Sequence, residues 1–414
     1  MTEWKTYRLK DVTSILGDGL HGTPVYDETG DVFFINGNNL ENGHINIKSN
    51  TKRVSTEEAA KYRKPLNDRT ILVSINGTIG NVGKYNNENC ILGKSACYFN
   101  VAEDFDYDFI YYVIANDIFK NTISRLATGT TIKNVSLETM RNYTFCAPDI
   151  TTQRRISKIL GAIDDKIENN RHINTNLELQ AQALYKQWFV DFDFPNEDGK
   201  PYKSSGGKMV DSELGLIPEG WSVGKLEDVG TIVGGGTPSK AKQEYYTSNG
   251  IAWITPKDLS ITHAKFTAKG EVDITDIGYA NSSAKMMPRG SILFSSRAPI
   301  GYISIAKNDI CTNQGFKSVV PNNGCTAFVY YFLLSNTENI ESKATGSTFK
   351  EASGALMKSL ELVIPSDDIL EKFENIMSPI FESQEKFEAE NETLAILRDT
   401  LLPKLMNGEI KVAE

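Results

Sequence analysis

The chain has 414 residues, 40% of them hydrophobic and 23% charged, enough for two or three domains with sizeable cores. The polar opening MTEWKTYRLKD, the absence of any apolar run near membrane-span length, and five cysteines (Cys90, Cys97, Cys146, Cys311, Cys325) without C-x-x-C spacing argue against a secreted, membrane-inserted or zinc-binding protein and for the reducing cytoplasm. The net charge of −9 disfavours nucleic acid only until it is divided: it is −2 over residues 1–150, 0 over 151–193, 0 over 194–365 and −7 over 366–414, so the larger segments can carry local basic patches.

From the amino end, GDGLHG (17–22) has the G-x-G-x-x-G spacing of a dinucleotide-binding turn, which needs a strand before it and a helix opening on its last glycine. YRLKDVTSIL before it reads as a short helix or a strand. Thr23-Pro24 and Gly30 after it break any helix, so the dipole that would hold a pyrophosphate is missing. Short β-like runs such as ILVSI follow, separated by Gly/Asn turns, and DFIYYVIANDIFKNTIS (108–124) reads as one helix. After Pro148 a long stretch with no glycine but Gly161 and no proline predicts an extended helix to about residue 190. Residues 191–220, rich in Pro, Gly, Ser and Lys, read as an irregular connector.

The pattern then starts again. WKTYRLKDV from Trp4 recurs as WSVGKLEDV from Trp221, FFINGNNL as AWITPKDL, and RTILVSINGTIGNVG as GSILFSSRAPIGYIS. LATGTTIKNVSLETMRNYTFCAPD recurs as KATGSTFKEASGALMKSLELVIPSD, and GDGLHGTP falls opposite VGGGTP, at separations of about 214–221 residues. TAFVYYFLLSNTENIES (326–342) is the second copy's helix. After Pro365, Ser366 reads as an N-cap with Asp367 and Asp368 in the first turn of a second long helix, which we expect to kink near Pro379 and break near Pro403.

Both long helices carry heptads. In the first, Ile156, Ile163, Asn170, Leu177 and Leu184 fall at one position and Leu160, Ile167, Asn174, Ala181 and Trp188 at the other. In the second, Phe373, Ile380, Phe387, Leu394 and Leu401 align with Met377, Gln384, Asn391, Arg398 and Leu405. The expected fold class is α+β: two similar mixed α/β domains, 1–148 and 221–365, separated by two long antiparallel helices, 149–190 and 366–408. The helices form a coiled coil with an internal pseudo-two-fold repeat; 191–220 is a linker and 409–414 a tail. The alternative is that each helix packs on its own domain. About 35 helical residues span roughly 50 Å, against about 34 Å for one turn of B-DNA. Such a rod could place two modules on two DNA segments, although a bivalent protein scaffold has the same outline.

The duplicated W…L.DV openings and the ATGTTIKNVS and ATGSTFKEAS segments resemble the DNA-specificity subunits of Type I restriction–modification systems. So do QRRISKIL, ALYKQWFVDFDFP followed by LGLIPEGW, and the closing LRDTLLPKLMNGEI. The resemblance covers essentially the whole chain; PSDDILEKFENI departs from it, lacking the Gln-Arg pair of Gln153 and Arg154. It implies two target-recognition domains, each reading one half of a bipartite, asymmetric site on double-stranded DNA. It implies helices that act as a ruler and dock two methyltransferase subunits, which bind S-adenosylmethionine and methylate adenine N6. Two translocase-nuclease (restriction) subunits, using ATP and Mg, complete the complex. This chain itself is expected to hold no cofactor, no metal and no catalytic residue. The sequence contains no Asn-Pro-Pro-Tyr or Asp-Pro-Pro-Tyr run and no complete phosphate loop, which fits that expectation.

Base reading needs side chains that donate or accept in the grooves, and phosphate contacts need donors. The first candidate set is Thr130, Thr131, Lys133 and Asn134, opposite Ser347, Thr348 and Lys350, with Gly129 and Gly346 letting backbone approach a phosphate. The alternative is a tight turn into a helix capped by Ser136. The second set is Asn36, Asn38 and Asn39, opposite Thr255 and Lys257, for which ordinary turn formation is the favoured reading. The third is Ser74, Asn76 and Thr78, opposite Ser295 and Arg297; Arg297 suits guanine but equally a surface salt bridge. INGTIG against SRAPIG predicts unlike half-sites. The competing functions are a protein scaffold that never touches DNA and a nucleotide-using enzyme.

Overall fold

The computed structural model describes residues 4–129, 132–346 and 350–412. The chain divides into two units: Met1–Ile167 with Glu392–Glu414, and Glu168–Asn391. In the first, strands Thr13–Asp18, Ala96–Val101, Thr70–Ser74 and Val82–Lys84 lie in that order in one antiparallel sheet. A smaller sheet orders Arg53–Val54, Val32–Ile35 and Cys90–Leu92, the last two parallel. The strand Thr70–Ser74 is buried along its whole length, which explains its unbroken apolar run. Period-two alternation divides it between two cores. Ile71 and Val73 join Phe99 and the helix residues Phe109, Ile110 and Val113, whereas Leu72 turns to Ile35, Leu40, Leu92 and Tyr98. The sheet is therefore covered by helices on one face and by the small sheet on the other.

The second unit repeats this plan. Its sheet orders Gly230–Gly234, Lys317–Pro321, Ile292–Ser296, Ile300–Ala306 and Phe266–Thr267. Ile292 and Phe294 face Phe328, Val329 and Phe332 on the helical side, while Leu293 faces Ile254, Met287 and Phe316. Trp253–Ile254 pairs in parallel with Cys311–Thr312, as Val32–Ile35 does with Cys90–Leu92. Each module is closed by its own ends: Lys5–Arg8 pairs antiparallel with Thr144–Ala147, and Ser222–Lys225 with Glu361–Ile364.

The segment read as one helix in each module is two helices. Tyr107–Ala115 and Asp117–Leu126 part at Asn116, and Thr326–Ser335 and Thr337–Lys343 part at Asn336. Asn116 leaves helical geometry and turns its side chain to accept the N–H of Phe119, so it caps the following helix more effectively than it would continue the preceding one.

The long helices run from Ile150 to Tyr185, continued by a π turn over Lys186–Val190, and from Asp367 to Met406. The first unit holds the beginning of the former and the end of the latter. There Ile156, Leu160, Ile163 and Ile167 are buried, as are Leu402 and Leu405, and the Arg398 guanidinium meets Asp164 at 2.9 Å. Leu394 and Leu401 are half-buried. In the second unit Phe373 and Met377 are fully buried, while Leu177, Leu184, Ile380 and Phe387 are half-buried. Polar residues also join the helices of that unit: the buried Asn170 donates to Glu390 (2.8 Å) and Asn391 (3.0 Å), and the half-buried Asn174 to the Gln384 carbonyl (3.2 Å). Partner numbers there run in opposite directions, from Asn170 with Asn391 to Asn174 with Gln384, so the helices are antiparallel within the second unit.

Two expectations for this region are corrected. The second helix does not break at Pro403; it continues to Met406 because Leu402 and Leu405 on either side are buried and hold the last turn. Nor is 191–220 irregular throughout. Met209–Ser212 and Gly215–Pro218 form a hairpin, and Phe194 stacks between Tyr202 (4.6 Å) and Trp221 (4.9 Å) in the second unit's core.

Candidate nucleic-acid interface

At one edge of each module, a strand end, a tight turn and a returning segment are joined by the same hydrogen bonds. The Ser74 hydroxyl, completely buried, donates to the Thr78 carbonyl and accepts the Asn81 N–H at 2.8 Å. The equally buried Ser295 donates to the Pro299 carbonyl (2.9 Å) and accepts the Tyr302 N–H (2.7 Å). These two serines are therefore turn fasteners and cannot reach a base, which corrects their place among the candidate readers. The returning segment docks through Val135 N–H to the Ile75 carbonyl (2.8 Å) and, in the second unit, Ala352 N–H to the Ser296 carbonyl (2.9 Å). Reciprocal backbone bonds join Thr128 to Asn134 and Thr345 to Glu351. Gly129 and Gly346 open the returning loops at φ values of +109° and +139°, where a side chain would be strained. Ser136 and Ser353 then cap short helices by accepting the N–H groups of Thr139 and Leu356.

This frame holds the remaining candidates of the first and third sets in one place. Thr78, Lys133 and Asn134 are exposed, and the half-buried Asn76 donates its amide to Asn134 Oδ1 at 3.3 Å. In the second unit the position of Asn76 is taken by Arg297 and that of Asn134 by Glu351, as the matching bridges show. Arg297 lies 3.7 Å from Glu351, whose other oxygen accepts Lys317 Nζ at 3.1 Å. Lys350 is exposed and donates to the Glu341 carbonyl at 3.4 Å. Thr130, Thr131, Ser347 and Thr348 lie outside the described residues.

The second set divides. Asn39 is 4% exposed and donates to the Asn46 carbonyl (3.0 Å) and Thr51 (3.1 Å), so it is a turn-builder and is removed from the readers. Asn36 is half-buried and accepts the Ser95 hydroxyl at 3.0 Å; Asn38 is exposed and its carbonyl receives Lys48 Nζ at 3.0 Å. Thr255 caps the helix Pro256–Thr262 and is tied to Asp258 at 2.6 Å. Lys257 is exposed and pairs with Glu271 at 2.7 Å, a bond that raises its pKa and keeps it cationic. Thr255, Lys257 and Arg297 line one cleft of about 700 Å³, with Lys240, Gln314 and Thr237 on its walls.

The glycine-rich turns belong to the frame. A side chain on Gly19 would come within 2.2 Å of the Leu92 carbonyl, and one on Gly235 within 2.0 Å of the Asn313 carbonyl. Leu20 N–H bonds to the Leu92 carbonyl and Gly236 N–H to that of Thr312, which makes Leu20 and Gly236 the equivalent pair. The shared Gly-Thr-Pro letters are thus two residues out of structural register, and the glycines serve backbone-on-backbone packing. Sequence reasoning missed Glu351 and Lys317, which no local pattern connects to Arg297. It also missed Gln314, which shares the cleft with Arg297. Among the described residues no group of three or more His, Cys, Asp or Glu could hold a metal, and no helix is long and apolar enough to cross a membrane.

Comparison with known proteins gives this geometry a family. The profile described as "Type I restriction modification DNA specificity domain" matches residues 1–179 and again 218–395. The MjaIX specificity subunit of a Type I restriction enzyme from Methanocaldococcus jannaschii is 37% identical over 190 residues, covering 45% of this chain and 44% of that one. The HindI specificity subunit from Haemophilus influenzae is 28% identical over 333 residues, covering 68% and 72%. The crystal structure of the S subunit of a Type I restriction–modification system from M. genitalium has the same fold, with a TM-score of 0.60 at 16% identity over 98% of this chain and 96% of that one. With its duplicated module matched twice, the chain belongs to the Type I restriction–modification DNA specificity family, the recognition component of those systems and not a catalytic subunit.

Proposed function

We propose that this chain reads a bipartite, asymmetric site on double-stranded DNA, one half-site per module. The observation that carries this reading is the pair of recognition edges: the same backbone hydrogen bonds present Asn76 and Asn134 in one unit and Arg297 and Glu351 in the other. A shared scaffold with exchanged side chains is what two readers of different sequences require. Thr78 and Lys133, with Asn38 nearby, and Lys257 and Lys350 supply further donors. The long helices are proposed to form one antiparallel coiled coil with pseudo-two-fold symmetry that sets the half-site spacing and docks two methyltransferase and two restriction subunits in the cytoplasm. Their heptads, and their antiparallel pairing in the second unit, support this. S-adenosylmethionine, ATP and Mg would belong to those partners.

Sequencing that detects methylated adenine in the host genome tests the reading. The expected result is a two-part motif with unlike halves that disappears when this gene is deleted; a palindromic motif, or one indifferent to the deletion, overturns it.

A further inference from the structure

We infer that one position of each recognition edge reads a single base pair, an A·T pair through Asn76 and Asn134 and a G·C pair through Arg297 and Glu351. This rests on the DNA-reading function proposed above. The two residues of each pair are fixed side by side by an isolated bridge, Asn76 to Asn134 and Arg297 to Glu351.

In the first unit a single amide–amide bond of 3.3 Å joins the pair. An amide has two donor hydrogens and two acceptor lone pairs, so that bond leaves the pair able to offer a donor and an acceptor together. That combination matches N7 and N6 of adenine in the major groove. In the second unit the pair is a guanidinium and a carboxylate. A guanidinium donates bidentately to O6 and N7 of guanine, and a carboxylate accepts from N4 of cytosine, so the two together match both members of one base pair.

A third position changes with them. Lys317 pairs with Gly234 in the sheet and Cys97 with Asp18, and the strand alignment makes Lys317 and Cys97 equivalent. Lys317 holds one oxygen of Glu351 at 3.1 Å, leaving the other toward Arg297 at 3.7 Å; Cys97 is wholly buried and neutral. Lys317 is thus a positioning residue. The Arg297 and Glu351 side chains are 37% and 38% exposed, and an ion pair so exposed adds little stability. Three coordinated changes therefore ask for a reason other than stability, and base reading supplies it.

The test is selection of DNA from a randomised library by the full chain bound to its methyltransferase subunit. Wild type should enrich two unlike half-sites, one with a G·C pair and one with an A·T pair that the variants identify. Arg297→Ala and Arg297→Lys should each reduce the preference for that G·C pair about 10- to 100-fold, leaving the other half-site unchanged, which also shows that the protein is folded. Asn134→Ala should do the same for the A·T pair alone, and the double variant Arg297→Asn with Glu351→Asn should shift the G·C position toward A·T. A wild-type motif that no Arg297 or Asn134 variant alters overturns this assignment and leaves the DNA-reading function standing. Failure of the wild-type complex to enrich any sequence overturns both.

Discussion

The edges at Asn76 and at Arg297 are suspended from matching backbone bonds, yet one carries two neutral amides, with a buried cysteine at the equivalent strand position, and the other an arginine, a glutamate and a lysine. The contrast separates two jobs. Buried hydroxyls, glycines and returning strands fix where the edge is, and this part is the same in both units. The side chains that leave the edge contribute little to folding, so they are at liberty to differ.

The sharpest test of the common frame is steric. Gly19→Ala and Gly235→Ala each force a carbon against a carbonyl oxygen at 2.2 and 2.0 Å, and each should cost at least about 3 kcal/mol in thermal or denaturant unfolding. Gly22→Ala, whose nearest neighbour would be a Leu20 methyl at 3.9 Å, should be neutral. Equal stability of all three would show that the glycines are not packing residues. Next, Ser74→Ala and Ser295→Ala should each lose about 1–3 kcal/mol, because each strands a buried N–H and carbonyl. A large difference between the two would break the equivalence of the turns.

The units should also part in their response to pH. On the second long helix, Glu374 accepts the N–H groups of Ala327 (3.1 Å) and Phe328 (2.9 Å), and burial pushes its carboxyl up to about 7. The first unit uses a neutral side chain near the corresponding helix start, where Gln153 accepts the N–H of Asp106 at 3.0 Å. A carboxyl whose pKa is raised by folding stabilises most below the ordinary carboxylate range and loses that contribution as pH rises through about 7. The melting temperature of the chain should therefore fall between about pH 4.5 and 7, and Glu374→Gln should flatten that interval. The smallest effect is expected at the cations. Lys133→Ala and Lys257→Ala should each lower the salt slope of DNA binding by about one, without changing which bases are preferred.

Much of the fold was legible because repetition carries its own register. The pairing of Lys5 with Ala147 reappears as Ser222 with Ile364, and the Ser136 cap as Ser353. What escaped was set by tertiary packing. Nothing local distinguishes the buried Ser74 from the exposed Thr78, or the buried Asn39 from Asn38. Asn116 lies inside an apolar helical pattern, and only its cap to Phe119 reveals the division. At Gly22 and Gly236 matching letters misled, since the chain paths coincide two residues away. Arg297 is a candidate in the sequence, for guanine or for a salt bridge, but Glu351 and Lys317 become its neighbours only through the sheet.

Each module begins and finishes on a pair of adjacent strands, Lys5–Arg8 beside Thr144–Ala147 and Ser222–Lys225 beside Glu361–Ile364. The chain thus comes in and goes out through one doorway about 4.8 Å wide. Anything hung behind that doorway can be exchanged, lengthened or redrawn by recombination provided the two posts still match. On the DNA-reading function proposed above, such an arrangement would turn a new address into a cassette replacement and spare the rest of the chain from redesign.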